Sequence, residues 1–440
     1  MEPTIPHVSL ALSLSMGLAL NIAACGGDDG SGSGGGSASG GVGGTGGLGG
    51  ASGGAGGAGG TGGIGGSAGG TGGSAGGAGG AGGTGGAGGA GGGSGGAVTR
   101  PSYNTGKGFF TLDGKLYDAN GVEFRIKGAN RAHYDVAPKG AALAKINAFR
   151  LGTPLWSGPG AAVIADVDAM IANHIVPILG LWFTTSDYSE AGNVTCKPST
   201  GAGLNVFNTA VSQWVTWYST YQSKGYEKYM LLNIANEWGS AWSAGDTSFL
   251  TAYQGAIDTL RQKGFLATLV IDAGGCGQDP ASLLKFAQAL YDHDPQHNIL
   301  FDLHIYGNFC ETSQGVSCQS WQTPLMATFD SLKAIKSPSH GAIPFLVGEF
   351  GPGKGIGPSP TQLTPGYIIQ QANTHGFGWL AWAWDDNNLP NCSANDDGFG
   401  MLTHACQGYA ASADLTAFGK DVIETPSYGT QANAVPATVF

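Results

Sequence analysis

From residue 124 onward, short apolar runs take turns with longer amphipathic segments. The apolar runs are Phe124–Lys127, Asn147–Leu151, Ile175–Phe183, Met230–Ala235, Thr268–Asp272, Ile299–Ile305, Pro344–Gly348 and Gly378–Trp384. They have strand length, and most are largely apolar, as buried strands are. Helical periodicity runs through Ala161–Asn173, Val206–Ser223, Thr247–Lys263, Pro280–Asp292, Pro324–Lys336, Thr361–Thr374 and Ala410–Ile423. Ahead of the series, Phe109 to Phe124 alternates apolar and polar residues around Asp113-Gly114 and Asn120-Gly121, the turn signals of an antiparallel hairpin. Strands alternating with helices predict an α/β fold with a parallel sheet. Eight such strands are the number that closes a (β/α)8 TIM barrel. A doubly wound open sheet is the alternative. It would place a glycine-rich phosphate loop after its first strand, and Gly128-Ala129-Asn130 is not one.

Composition takes the first quarter of the 440 residues out of this pattern. Residues 26–98 are almost wholly Gly, Ala, Ser and Thr and hold more than half of the 82 glycines. With no apolar face to bury, this stretch is expected to be a disordered linker with a relaxed reach of roughly 50 Å. It lacks the prolines and the steady G-x-y frame of collagen. Residues 1–25 read as a lipoprotein-type signal peptide. Val8 to Leu20 is apolar but too short to span a bilayer, and Ile22-Ala23-Ala24-Cys25 resembles the bacterial lipobox, whose cysteine is lipidated. Residues 1–7 depart from that pattern, with Glu2 and no Lys or Arg. The expectation is an exported protein, secreted or lipid-anchored to the cell surface or outer membrane, with residues 100–440 as one catalytic domain.

Cysteine usage agrees with export. Of seven cysteines, Cys25 belongs to the lipid reading, leaving Cys196, Cys276, Cys310, Cys318, Cys392 and Cys406. An even number in an exported chain suggests disulfides. Cys310–Cys318 and Cys392–Cys406 are neighbours in sequence and form natural pairs, with Cys196–Cys276 following, although six cysteines allow many pairings. No C-x-x-C or paired-histidine spacing suggests zinc. His293 and His297 are four apart, but Asp294-Pro295 breaks any helix between them. A formal charge of −11 with 11% charged residues argues against nucleic acid or an anionic membrane as partner. Ten Trp and fourteen Tyr fit a neutral partner whose C–H faces stack on rings, as those of sugars do.

In a barrel, chemistry sits at the carboxyl ends of the strands. Those positions read Arg150, Trp182, Asn236-Glu237, Asp272, His304 with Tyr306, Glu349, and Trp382 with Trp384. Two carboxylates, Glu237 and Glu349, each follow an apolar run, in YMLLNIANEW and PFLVGEFG. A pair of this kind can supply one acid/base and one nucleophile.

The set NIANEW, DLHIYG, LVGEFG and GWLAWAWD resembles glycoside hydrolase family 5, retaining β-glycosidases on (β/α)8 barrels. The resemblance covers about Phe109 to Ile423, and LVIDAGGCGQD before LHIYG resembles the bacterial endo-β-1,4-mannanase branch most. It implies that Glu237, the glutamate after Asn on the fourth strand, is the acid/base, and that Glu349 on the seventh is the nucleophile. It also carries over Arg150, Asn236, His304, Tyr306 and Trp382 as supporting residues. Two departures stand out: Trp182 occupies the place of a histidine of that branch, and Trp238-Gly239 follows the acid/base where Pro is usual. Trp182 and Trp384 remain substrate-binding candidates by their strand-end position.

Other motifs carry less. Gly348 to Lys354 mimics a phosphate loop, but Gly355 replaces the magnesium-binding Ser/Thr and Pro352 lacks an N–H. Asp385-Asp386 and Asp396-Asp397 could bind calcium, yet read better as a polar loop beside the cleft. The expectation is therefore a monomeric endo-acting hydrolase of β-1,4-linked polysaccharide, β-mannan ahead of β-glucan, needing no metal or cofactor. An endo-β-1,4-glucanase with the same mechanism is the alternative, and a barrel that only binds polysaccharide is a third reading.

Overall fold

The structure is a computed structural model and describes residues 96–131, 140–153, 161–184, 191–240, 246–306, 321–352, 364–385, 398–404 and 408–440. The chain divides into two compact units, Met1–Gly92 and Gly93–Phe440. The described residues all belong to the second.

The first elements are β1 (Phe110–Leu112) and β2 (Lys115–Tyr117), paired antiparallel. Asp113 and Gly114 join them with φ of 47° and 75°, the positive values that a two-residue hairpin turn matching strand twist demands. The chain continues through β3 (Lys127–Arg131), β4 (Ala148–Thr153), β5 (Val176–Leu181), β6 (Leu231–Asn233), β7 (Thr268–Asp272) and β8 (Ile299–Ile305). A short hairpin follows, β9 (Lys336–Ser337) and β10 (Gly341–Ala342), and then β11 (Phe345–Phe350) and β12 (Gly378–Ala381). Eight of these strands form a closed barrel in the order β11-β12-β3-β4-β5-β6-β7-β8, every neighbouring pair parallel.

The helices are α1 (Ala161–Ala172), α2 (Gly201–Ser223), α3 (Thr247–Gln262), α4 (Pro280–His293), α5 (Gln322–Lys333), α6 (Pro365–His375), α7 (Ala417–Glu424) and α8 (Thr430–Asn433). Their starts follow from local chemistry. Asp246 and Asp279 accept from Ser248 N and Ala281 N to cap α3 and α4, and Pro280 supplies the preset φ of a first helical residue.

Strand alternation builds two cores. One face sends Ala148, Ile178, Leu231, Val270, Leu300 and Leu380 into the barrel, where they meet Phe109, Leu116 and Phe124 of the hairpin region. The other face sends Phe149, Leu179, Leu232, Leu269, Phe301 and Val347 out against the helices. The hairpin thus closes the amino-terminal end of the barrel. Asn298 fastens it there, accepting from Thr111 N at 3.1 Å and donating to Phe109 O at 3.1 Å. Asn298 is in turn held by Asp294, which accepts from its backbone N–H at 3.0 Å. Asp294 also forms a buried fork with Arg261 of α3, both contacts 2.8 Å.

Most sequence boundaries hold within two residues, but α2 begins at Gly201 rather than Val206, α6 at Pro365 rather than Thr361, α7 at Ala417 rather than Ala410, and β12 ends at Ala381 rather than Trp384. Three further differences stand out. The first barrel strand is Lys127–Arg131 rather than the apolar Phe124–Lys127, because its inward positions are small or polar. The fifth helix ends at Lys333, so Lys336 lies in β9 instead. The hairpin β9–β10 is too short and polar to announce itself. A disulfide joins Cys196 and Cys276. Cys25, Cys310, Cys318, Cys392 and Cys406 lie outside the described residues, as do Asp386, Asp396, Asp397 and the linker up to residue 95. Among the described residues, no helix is long and apolar enough to cross a membrane.

The Arg261–Asp294 pair ties α3 to the end of the barrel that the hairpin plugs. Asp294→Ala strands a buried guanidinium and is expected to cost about 3–5 kcal/mol in unfolding free energy by chemical denaturation. A loss below about 1 kcal/mol would show that the pair does not anchor this end.

Candidate active site

At the carboxyl end of the barrel, Arg150 of β4 is the centre of a polar layer and has no exposed surface. Its Nη1 donates to Glu349 Oε1 at 2.7 Å. Its Nη2 donates to Asn236 Oδ1 at 2.6 Å, Asn233 Oδ1 at 2.9 Å and Asp272 Oδ2 at 3.1 Å. Burial alone would pull its pKa down, but Asp272, Glu349 and Asp302 outweigh it and hold it above the ordinary value.

Glu349 reaches this layer through a local irregularity. Between Leu346 and Glu349 the pairing of β11 with β8 slips, so that Asp302 faces Leu346 while His304 faces Glu349. The extra residue on β11 re-aims the side chain, as β-bulges do. Tyr306, at the end of β8, donates its hydroxyl to Glu349 Oε2 at 2.9 Å. Burial, reinforced by Glu349 and Glu237, holds that phenol well above its ordinary pKa, so it remains a donor.

Glu237 is placed differently. Beyond β6 the chain keeps bonding to both neighbours, Ile234 N to Val270 O and Asn236 N to Leu181 O. It then turns at Glu237, whose φ of 51° is unusual for a residue with a side chain. Two contacts hold that turn: Glu237 N donates to Asp272 Oδ2 at 2.8 Å, and Glu237 O accepts from Cys196 N at 3.0 Å. The Cys196–Cys276 disulfide bridges the segments after β5 and β7 on either side. The Glu237 carboxyl meets His304 Nδ1 at 2.8 Å and is pushed up to about 7. Burial is the main cause, with Glu349 adding to it against the opposing pull of His304. His304 lies 3.6 Å from Glu349 Oε2, and single ligand atoms of Glu237, His304 and Glu349 all fall within 4.8 Å of one another.

The rim is aromatic. Trp182 lies over Arg150, whose Cζ is 4.5 Å from the ring centre, and stacks beside Trp382 with centroids 6.3 Å apart and planes 30° apart. A Cβ at Gly152 or Gly180 would come within 2.7 and 2.6 Å of the Trp182 ring, so these glycines let it lie flat on the barrel wall. The peptide after Trp382 is cis. Trp384 corrects an expectation. It is 1% exposed and packs edge-on against Phe149, so it supports the site from the core and does not line the cleft. Strand β12 ends at Ala381, and alternation no longer governs which way residue 384 points.

Arg150, Asn236, Glu237, His304, Tyr306 and Glu349 are therefore brought together as one network, with Trp182 and Trp382 above it. Asn233, Asn130, Thr195 and Asp302 join it without having been singled out in the sequence. Asn130 accepts from Arg150 Nη1 at 3.3 Å, and Thr195 Oγ1 accepts from Asn236 Nδ2 at 2.8 Å. Counting back by twos along β8 from His304 would have found Asp302. Two triads, Glu237-His304-Glu349 and Asp272-Asp302-His304, have cation-site spacing. Both border the Arg150 guanidinium, which opposes a second cation there. The network presents one carboxyl poised to give up a proton near neutrality and, beside it, one carboxylate clamped by a guanidinium and a phenol.

Comparison with known proteins fits this arrangement. The family described as cellulase (glycosyl hydrolase family 5) matches residues 161–388. A mannan endo-1,4-beta-mannosidase of Cellvibrio japonicus (strain Ueda107) is 26% identical over 345 residues, covering 76% of this chain and 69% of the relative. Another, from Salipaludibacillus agaradhaerens, is 25% identical over 347 residues, covering 76% of this chain and 96% of the relative. The solved mannotriose complex of Thermomonospora fusca beta-mannanase superposes with a TM-score of 0.55 at 25% identity, covering 76% of this chain and 99% of that one. The chain belongs to glycosyl hydrolase family 5 and is an O-glycosyl hydrolase.

Proposed function

We propose that this protein is a retaining endo-β-1,4-mannanase, with Glu349 as nucleophile and Glu237 as acid/base. The observation that carries the reading is the close approach of two carboxyl groups in opposite electrostatic settings, with oxygens within 4.8 Å of each other. Retention calls for carboxyl groups about 5–5.5 Å apart, whereas inversion needs roughly 6.5–9.5 Å to admit a water. The mannanase names of the relatives support the choice of sugar.

In the first step Glu349 attacks the anomeric carbon and forms a glycosyl ester. The glycosidic C–O bond breaks, and its oxygen takes the proton of Glu237. In the second step Glu237, now a carboxylate, takes a proton from water, whose oxygen displaces Glu349 from the sugar. The electrostatics drive the reversal. Glu349 helps to hold the Glu237 proton, and once Glu349 is an ester that charge is gone and Glu237 becomes a weaker acid holder, fit to act as base. Arg150 and Tyr306 hold the charge of the nucleophile before attack, and Asn236, fixed between Arg150 and Thr195, can reach the sugar 2-OH.

Glu349→Ala is expected to abolish hydrolysis of β-mannan and of every other β-glycan. Undiminished hydrolysis ends the assignment of Glu349 as nucleophile. Glu237→Ala is expected to retain far more activity on aryl glycosides with good leaving groups than on polysaccharide, and equal losses on both count against its role as acid.

One observation favours a second reading, endo-β-1,4-glucanase: Trp182 presents an apolar ring where the mannanase branch has a hydrogen-bonding histidine. A product profile on mannan, glucomannan, cellulose and mixed-linkage glucan decides between them. Mannan is expected to be cleaved fastest, and faster hydrolysis of cellulose would move the assignment to the glucanase.

We also propose that the enzyme is exported and tethered through lipidated Cys25. The disulfide supports an oxidising compartment. Radiolabelled palmitate should enter the wild-type protein and not Cys25→Ser, and equal labelling would refute the anchor.

A further inference from the structure

We infer that Asp302 is a positioning residue that keeps both nitrogens of His304 protonated and thereby aims the acid proton of Glu237. The inference rests on the acid/base reading of Glu237 given above.

Asp302 sits in the middle of the strand run ILFDLHI and has no exposed surface. Among the described residues, neither of its oxygens has a hydrogen-bond partner within 3.5 Å. A Cβ on Gly348 would fall within 1.8–2.2 Å of the carboxylate atoms, so the group lies directly on a glycine that leaves it room. The nitrogen facing it is His304 Nε2, at 3.6 Å, which likewise has no hydrogen bond. A buried carboxylate without donors is costly unless a cation compensates it. The barrel interior two residues earlier on the same strand is filled by Leu300, so the fold itself does not call for a charge here.

The other charged and titratable groups around the ring are set by the neighbouring strands. Asp272 Oδ2 of β7 is 3.9 Å from Nε2, Glu349 Oε2 of β11 is 3.6 Å from Nδ1, and Glu237 Oε1, beyond β6, is 2.8 Å from Nδ1. Arg150 of β4 opposes a second cation through the same carboxylates, and Tyr306 follows on the strand of His304 itself. Burial pulls the imidazole down, but Glu349, Asp302 and Glu237 together hold it well above its ordinary value.

The consequence is one of hydrogen-bond sense. The carboxylate of Asp302 faces Nε2 and requires a proton there. With Nδ1 protonated as well, the ring can only donate to Glu237 Oε1. The acid proton must then sit on Oε2, the oxygen that His304 leaves free. Without Asp302, a neutral ring could offer a lone pair at Nδ1, and Glu237 would turn its proton into the ring instead of toward the glycosidic oxygen.

Nitrogen-15 NMR of histidine-labelled wild-type enzyme, with His304 assigned by its loss in His304→Gln, tests the charge state without any catalytic readout. Both nitrogens of His304 are expected to be protonated at pH 7, and a neutral ring overturns the proposal. In Asp302→Asn the ring is expected to lose one proton at pH 7. The kinetic arm reads the basic limb of kcat/KM on polysaccharide. In the wild type this limb falls above about pH 7, because Glu237 must be protonated to act and loses its proton as pH rises. Removing an anion makes the shared protons easier to lose, so Asp302→Asn is expected to move that limb down by about one pH unit. At pH 7 it should lower the rate on polysaccharide about tenfold or more, while aryl glycosides with good leaving groups lose far less. A folded variant with an unmoved limb, or with equal losses on both substrates, refutes the role of Asp302. If Asp302→Asn does not fold, the wild-type spectrum alone decides. Should Glu237→Ala lose activity equally on both substrates, the acid reading fails, while the spectrum still reports whether Asp302 holds the imidazole.

Discussion

The site depends on one buried guanidinium. Arg150 stands in a buried layer where Glu349, Asp272 and Asp302 all lower the potential. Its donors are divided between the Glu349 carboxylate and the amides and carboxylate that carry the Glu237 loop. A lysine could not do this. It offers a single point of charge, whereas the planar fork of arginine reaches Glu349 with one nitrogen and Asn233, Asn236 and Asp272 with the other. The apolar interior below and the Trp182 ring above keep this fork dry and in one orientation.

From that centre the two glutamates diverge. Glu349 is bound from both oxygens, by a cation and by a phenol that burial prevents from ionising. Glu237 is buried too, but among the described residues its carboxyl bonds to an imidazole shared with Glu349, so the cost of its charge is only partly offset and its proton is held to about 7. The difference in chemistry between two identical side chains thus comes from which neighbours the barrel register supplies. The slip between β8 and β11 is decisive here, because without it Glu349 would point out of the barrel.

Much of this was legible in the chain. Strands β7 and β8 have the limits read from Thr268–Asp272 and Ile299–Ile305, because apolar runs bounded by polar residues are unambiguous when buried on both faces. Helices with an Asp cap, such as α3 and α4, also begin where expected. The catalytic candidates were visible because a carboxylate directly after an apolar run has few structural reasons to be there. What escaped notice was polarity inside the run. Asp302, Asn233 and Asn130 look like ordinary breaks in hydrophobicity, and only the closed barrel reveals that they face one another. The first barrel strand was displaced for the same reason, since Lys127–Arg131 is chosen by the space inside the barrel and not by apolar character. Trp384 shows the opposite error, a strand-end residue that leaves the alternation and joins the core.

The Cys196–Cys276 link spans 80 residues and encloses β6, α2 and α3 along with the Glu237 turn. In a chain-entropy picture, closing a loop of that length favours the folded state by about 4–5 kcal/mol. It also divides the site by the kind of force that assembles each half. Glu349 is fixed by charge, in the ion pair with Arg150 and the hydrogen bond from Tyr306, neither of which a reductant can break. The turn at Glu237 is bracketed by a covalent bond whose survival is decided by the redox poise of the surroundings. Half of the geometry of the site is thus written in the barrel, and the other half also depends on a bond that only oxidising surroundings preserve.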